Sequence, residues 1–270
     1  EAALAGGEPV IVATVVAVGE VARLTAGDKM LVRRDGTREG SLGADDLDGP
    51  VADAAAEMFT VIPRVAMQTI YLGQDGSAVT RRSMAREGDA EVMVQLFEAP
   101  SRLVIVGGGH VGLALATIGE FTGFSVTVID DREEFAQRDR FPMVDEVVAA
   151  DAGDALDAIK MDANTYVVLV SRGHRQDEEA LRHSVGRGAA YVGMIGSRRR
   201  TSTVLRHLLE EGFEPAALDA VSTPIGLDIG AETPEEIAVA IVAELVLVRR
   251  GGTGRRMRAL LGSHAEDGVE

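Results

Sequence analysis

The segment Arg102–Asp131, RLVIVGGGHVGLALATIGEFTGFSVTVIDD, decides the fold. It opens on an apolar run, Leu103 to Val106, rich in β-branched residues, as expected of a strand buried in a parallel sheet. Gly107, Gly109 and Gly112 follow at GxGxxG spacing. Val111, Leu115 and Ile118 then recur at helical spacing, and Gly123 stands where a helix C-terminal cap falls. A second apolar run, Val126 to Ile129, ends in Asp130-Asp131. A strand, a glycine turn, a helix, a strand and an acid form a mononucleotide-binding βαβ unit. In such a unit the first glycine permits the tight turn. The second lets backbone approach a pyrophosphate, and the third lets helix and strand pack closely. The helix N-terminus offers free N–H groups and a positive dipole end to an anion. His110, inside the turn, would touch whatever sits there. Asp130, 18 residues beyond Gly112, is placed to hold a ribose hydroxyl. The same glycines also serve helix–sheet packing with nothing bound, and spacing alone does not choose between these uses.

Composition narrows the function classes. The chain has 270 residues, enough for one large or two ordinary domains, and 46% of them are hydrophobic, enough for a core. Aromatic residues are scarce at 4%, with no Trp, which speaks against stacking platforms for bases. The net charge of −16 repels nucleic acid and anionic membrane. Cysteine is absent, which excludes disulfides, thiolate metal ligands and a cysteine nucleophile. No apolar run approaches the roughly 20 residues of a membrane span. No signal peptide is visible, and the chain begins at Glu1 without Met.

Residues 1–98 read as a small α+β domain. Val10 to Val18 and Lys29 to Arg33 are strand runs, with a turn at Asp35-Gly36. Asp45 to Phe59 reads as a helix with Leu47, Val51, Ala54, Ala55 and Met58 on one face. Ala66 to Leu72 and Val92 to Phe97 are two more strands. Residues 99–101 form a linker. From residue 102 to 250 strands and helices alternate, which predicts an α/β, Rossmann-like open parallel sheet. Asp145 to Ala149, Tyr166 to Ser171, Ala190 to Gly193 and Leu218 to Ser222 are its further strands. A helix spans about Arg198 to Glu211. The last helix has Thr233 at its N-cap, Pro234 at its first position and Glu236 completing a capping box. Residues 251–270 read as a flexible tail.

Three strand-end stretches carry candidate chemistry. In Gly193-Met194-Ile195-Gly196-Ser197-Arg198-Arg199-Arg200, Ser197 takes the N-cap position and three arginines fill a first helical turn, where the dipole disfavours cations. A local rule broken in this way points to function, here an anion site at Ser197, Arg198 and Arg199. The other reading pairs the arginines with surface carboxylates. Thr223-Pro224-Ile225-Gly226-Leu227-Asp228-Ile229-Gly230 lines the same edge, where Gly226 allows close backbone approach and Asp228 accepts from a ligand amine, or caps a neighbouring backbone. In Ser171-Arg172-Gly173-His174-Arg175-Gln176-Asp177, His174 is a candidate acid/base or ligand contact with Asp177 to orient it, although a lone histidine is more often structural. The five histidines show no metal-ligand spacing, and neither HExxH nor GxSxG occurs. No self-contained catalytic constellation is present.

Taken together, VGGGHVG, VTVIDDREEFAQRDRFP, SRGHRQDEEALRHSV, AAYVGMIGSRRR and PIGLDIGAETPEEIAVAIVAE, in this order, resemble the XdhC/CoxI family of molybdenum hydroxylase accessory proteins. PVIVATVV, KMLVRRDG and EGSLGADDLD match more loosely, as the family's N-terminal domain would. The resemblance implies a cytoplasmic chaperone that binds the molybdenum cofactor, a pterin dithiolene with a terminal phosphate. Such a chaperone protects the cofactor and delivers it to an apo molybdenum hydroxylase of xanthine or carbon monoxide dehydrogenase type. A sulfur-transfer protein is the implied second partner, and a homodimer is compatible with this role. The rival from a different class is an oxidoreductase holding NAD(P) or another nucleotide at Gly107 to Gly112. One departure stands out. Where the family often carries a cysteine in a GSxxGGC stretch, this chain reads Gly40-Ser41-Leu42-Gly43-Ala44-Asp45-Asp46, which puts Asp46 in the cysteine's place. The family's Ser-x-Pro-Arg after the first strand is likewise altered, to Glu20-Val21-Ala22-Arg23.

Overall fold

A computed structural model describes residues 2–4, 7–43, 45–61 and 65–260, without the side chains of His174, Arg175, Arg198, Ala259 and Leu260. The chain divides into two compact units, built on residues 1–99 and 100–248.

The first unit is an antiparallel sheet with one helix. Its elements are β1 (Val10–Ala17), β2 (Lys29–Arg33), β3 (Arg38–Gly40), α1 (Asp45–Ala56), β4 (Met67–Leu72), β5 (Ala78–Val79) and β6 (Ala90–Phe97). The sheet order is β3-β2-β1-β6-β4-β5. Period-2 alternation sends Ile11, Ala13 and Val15 of β1 and Val92, Val94 and Leu96 of β6 to one core. There they meet Leu47, Val51 and Ala55 of α1, with Met58 and Phe59 on the 3-10 turn that follows. β3 and β5 leave no trace in the sequence pattern because they are three and two residues long, below the length at which alternation can be read.

The second unit alternates strand and helix. Its elements are β7 (Arg102–Val106), α2 (His110–Phe121), β8 (Ser125–Asp130), β9 (Glu146–Ala149), α3 (Ala152–Ala158), β10 (Thr165–Leu169) and α4 (His174–Arg182). They continue as β11 (Tyr191–Met194), α5 (Arg198–Glu210), α6 (Pro215–Asp219), α7 (Pro234–Arg250) and α8 (Met257–Leu260). The five strands are parallel in the order β11-β10-β7-β8-β9. This is the α/β, Rossmann-like sheet that the glycine turn predicts. Alternation along the central strand splits the core in two. Val104 and Val106 join Leu156, Leu181 and Leu208 of α3, α4 and α5 on one face. Leu103 and Ile105 join Leu115 of α2 and Ile241 and Leu245 of α7 on the other.

Several boundaries differ from expectation. Leu218 to Ser222 is not a strand. Pro215 at the first position starts the short helix α6, which buries Leu218, and only Ser222 pairs, with Gly193, in a single parallel bridge. Leu218, Ala220 and Val221, spaced by Asp219, fit a short helix as well as a strand, and the proline decides it. Helix α3 is an addition to the expected elements. Asp151 caps it by accepting from Gly153 N–H at 2.9 Å. The capping box of α7 forms as expected, with Thr233 N–H donating to Glu236 at 3.0 Å and Glu236 N–H to Thr233 Oγ1 at 3.2 Å. Within the stretch expected to be a flexible tail, α8 occupies Met257–Leu260, and residues 261–270 lie outside the described ones.

Candidate functional site

The strand order reverses between β7 and β10, and in open parallel sheets a ligand crevice opens beyond the carboxyl ends at such a point. Gly107 leaves β7 at φ +119°, which a residue with a Cβ rarely adopts, and its N–H donates to Ile129 at 2.8 Å. A Cβ on Gly112 would stand 1.8 Å from the Gly107 carbonyl oxygen, so this position is glycine by close approach. Gly109 differs. It caps α2 with an ordinary extended backbone, φ −67° and ψ −165°, and a Cβ there would meet nothing within 4 Å. The second glycine thus leaves space on its open side. No side chain caps α2, and His110 is exposed at its first position.

Gly108, between the first two motif glycines, is held at both of its polar groups. Its N–H donates to Asp130 Oδ2 at 2.7 Å, and its carbonyl accepts from Arg140 Nε at 3.2 Å. Asp130 is buried and also accepts from Arg132 N–H, Nε and one terminal nitrogen, at 2.9–3.0 Å. Burial works against its charged form, but the bonds from Arg132 and Gly108 outweigh it and hold the carboxyl below its usual range. The expected free acceptor for a ribose hydroxyl is therefore already engaged in fastening the glycine turn to β8.

A small crevice lies where β7, β8 and β10 end. Gly107, Asp130, Asp131, Asp151, Ser171, Gln176 and Glu179 line it, and its volume is about 20 Å³, room for about one water. Gln176 Nε2 donates to Asp131 at 2.7 Å, which ties α4 to the end of β8. Ser171 Oγ donates to the buried Asp177 at 2.6 Å, so Asp177 fixes the β10–α4 turn. His174 begins α4, but its side chain lies outside the described residues. The lining is rich in carboxylates and offers hydrogen-bond acceptors rather than a seat for phosphate.

The arginine turn emerges from β11, two strands from β7, or roughly 10 Å away at ordinary strand spacing. Ser197 takes the N-cap position at φ −71° and ψ 149° but makes no side-chain capping bond, contrary to expectation. Arg199 and Arg200 are exposed, and neither forms an ion pair among the described residues; the side chain of Arg198 lies outside them. The loop after Ser222 leaves at the same edge. Gly226 N–H is taken by Glu244 at 2.6 Å, and the same oxygen accepts from Tyr191 Oη at 2.7 Å, so Gly226 anchors the loop to α7. Asp228 is exposed. Sequence reasoning misses Thr223, whose buried hydroxyl has no partner among the described residues, and Arg140. The spacing of Arg140 from the glycine turn, 32 residues along the chain, gives no local signal.

The profile of the XdhC Rossmann domain matches residues 103–245, and that of the XdhC and CoxI family matches residues 3–65. The chain belongs to the XdhC/CoxI family. Among its curated relatives is the uncharacterised protein YqeB of Escherichia coli K12, 29% identical over 85% of this chain and 42% of that protein. Another, from Bacillus subtilis 168, is described as a probable xanthine dehydrogenase subunit, 31% identical over 59% of this chain and 46% of that protein. The chain spans less than half the length of either relative. A crystal structure described as a xanthine dehydrogenase from Bacillus halodurans shares the fold, with a TM-score of 0.55 at 20% identity over 92% of this chain and 93% of that one.

Within the XdhC/CoxI frame the altered position Asp46 proves to be the partner of Arg23, the arginine kept in the otherwise changed segment after β1. Arg23, from the changed segment after β1, holds both oxygens of Asp46, from the changed cysteine stretch, at 2.8 and 2.9 Å. Asp46 stands exposed at the start of α1, where the dipole also favours an acid. Ala44 lies outside the described residues. Among those described, no group of three or more His, Asp or Glu side chains is placed to hold a metal ion, and no helix is long and apolar enough to cross a membrane.

Proposed function

We propose that this XdhC/CoxI protein is an accessory factor in the maturation of a xanthine dehydrogenase type enzyme. In this reading it holds the molybdenum cofactor at the carboxyl edge of the parallel sheet and delivers it to the apo molybdenum hydroxylase. The observation that carries this reading is the separation of two chemistries at one edge. The glycine turn and Arg199 offer N–H donors and positive charge to a terminal phosphate. Asp131 and Asp151, each hydrogen-bonded at one carboxylate oxygen only among the described residues, offer acceptors to the amino and ring N–H groups of a pterin, whereas both oxygens of Glu179 are taken by Arg182 and His183. The small volume of the crevice means that entry parts the exposed Gln176–Asp131 bond. When bound, the cofactor supplies the metal and dithiolene; this chain binds, orients and shields. With no cysteine in the sequence and no group of three or more His, Asp or Glu side chains placed to ligate a metal among the described residues, the contacts of this reading fall on pterin and phosphate, and a separate sulfur-transfer protein would install any terminal sulfur.

The engagement of Asp130 by Arg132 and Gly108 supports this reading over an NAD-dependent oxidoreductase, which would draw on a free acid at that position. The test is a titration of wild type and Arg199→Ala with molybdopterin and with its dephosphorylated form. The reading expects Arg199→Ala to weaken the phosphorylated ligand about 10-fold or more and leave the other unchanged. Equal weakening of both would remove the phosphate from Arg199.

A further inference from the structure

Arg140 lies against the glycine turn, although no glycine motif contains it. Its Nε donates to the Gly108 carbonyl at 3.2 Å. Its guanidinium carbon lies 5.4 Å from the Phe135 ring centroid and 5.9 Å from that of Phe141. Phe135 is itself fixed. Arg132 covers it at 3.8 Å, and its carbonyl oxygen would be only 2.3 Å from a Cβ placed on Gly108. The segment 132–140 therefore lies against the turn and carries two guanidinium groups on one aromatic ring. These two differ in what remains free. Arg132 spends its Nε and a terminal nitrogen on Asp130. Arg140 is half-buried, has no carboxylate partner among the described residues, and its two terminal nitrogens make no hydrogen bond among them.

A guanidinium anchored at Nε and laid against aromatic rings has already lost its rotamer freedom, so its remaining donors bind an anion at little further entropic cost. In a chain of net charge −16, Arg140 has no acidic partner among the described residues although Asp130 lies at the same turn, and it differs from the exposed Arg199 and Arg200 in being half-buried and anchored at Nε. Gly109, open on its side, is the next residue but one along the same turn from Gly107 and directly follows the residue that Arg140 grips. We propose that the terminal nitrogens of Arg140 bind the phosphate of the ligand held at this turn, the ligand being a phosphate monoester or a pyrophosphate. The proposal rests on the glycine-turn reading above and adds its main charged contact.

The test is calorimetric titration of the full chain with inorganic pyrophosphate, comparing wild type with Arg140→Gln, Arg140→Lys and Gly109→Val. Arg140→Gln is expected to weaken binding about 10- to 100-fold, the range for loss of a charge-assisted contact, with an unchanged circular dichroism spectrum. Arg140→Lys should recover part of that loss through charge alone. In wild type, the Arg140 Nε–H signal in a nitrogen-15 spectrum should shift as pyrophosphate is added, a readout that does not depend on any variant folding. Wild-type affinity in Arg140→Gln alongside lost binding in Gly109→Val would overturn the role of Arg140 and leave the turn as the site. Undiminished binding in both variants would overturn the glycine-turn reading as well. An unmoved Arg140 signal, or no binding by wild type, would overturn the proposal directly.

Discussion

At the residue scale the three motif glycines are not equivalent. A Cβ on Gly112 would sit 1.8 Å from the Gly107 carbonyl, so Gly112→Ala must push α2 off β7. It should cost about 3 kcal/mol or more, read as a lowered urea midpoint. A Cβ on Gly109 meets nothing within 4 Å, so Gly109→Val should keep the wild-type midpoint to within about 1 kcal/mol while losing the ligand. If Gly109→Val unfolds as readily as Gly112→Ala, the open side of the turn is not what the geometry describes. Ser197 gives a sharper correction. Its type and position fit an N-cap, yet its side chain makes no capping bond, so Ser197→Ala should change stability by less than about 0.5 kcal/mol in thermal unfolding. A loss near 1 kcal/mol would restore the cap. The glycines are legible because their roles depend on neighbours a few residues away. Arg140 and Phe135 are not, because their contacts with Gly108 arise from folding a distant segment back onto the turn.

At the element scale, α3 and α4 are joined by a titratable clasp. His183, the residue after α4, contacts Asp157 at 2.9 Å through Nδ1 and Glu179 at 3.1 Å through Nε2. Both contacts are donated only by the imidazolium, since a neutral ring has a single N–H. The hydrogen bond to Asp157 raises the His183 pKa above its ordinary value, burial opposes the rise, and Glu179 adds to it. A raised folded-state pKa means that this stabilisation is complete below the unfolded value, about 6.5, and is lost as pH rises through the folded value. Thermal midpoints should therefore fall between pH 6 and pH 8 more steeply in wild type than in His183→Asn. Equal slopes would show that the clasp does not contribute. Elements are legible in proportion to their length and caps. α7, with 17 residues and its capping box, follows from the sequence, whereas α3 with seven residues and α6 with five do not. Over so short a span, apolar spacing does not separate a period of 3.6 from a period of 2, and the deciding signals are Asp151 and Pro215.

At the scale of the molecule, the parallel order β11-β10-β7-β8-β9 brings five separated stretches of sequence to one edge. They are the glycine turn, Asp130-Asp131, Ser171 to Asp177, Ser197 to Arg200 and the loop bearing Gly226. The glycine spacing implies this convergence, because a right-handed βαβ unit repeated in one sheet must put every strand-to-helix turn on the carboxyl side. The chemistry of those turns is less legible. Asp130 proves to be a fastener, and Asp46 is held by Arg23 rather than left as a ligand. The central claim is that this edge carries a phosphorylated pterin. The most direct measurement is the pterin content of the full chain purified from cells that make the molybdenum cofactor, read as fluorescence after acid oxidation, for wild type and Gly109→Val. The account predicts near-stoichiometric molybdopterin derivative from wild type and none from the equally folded variant. Bound nicotinamide with reductase turnover in place of pterin, or equal pterin in both proteins, would contradict it.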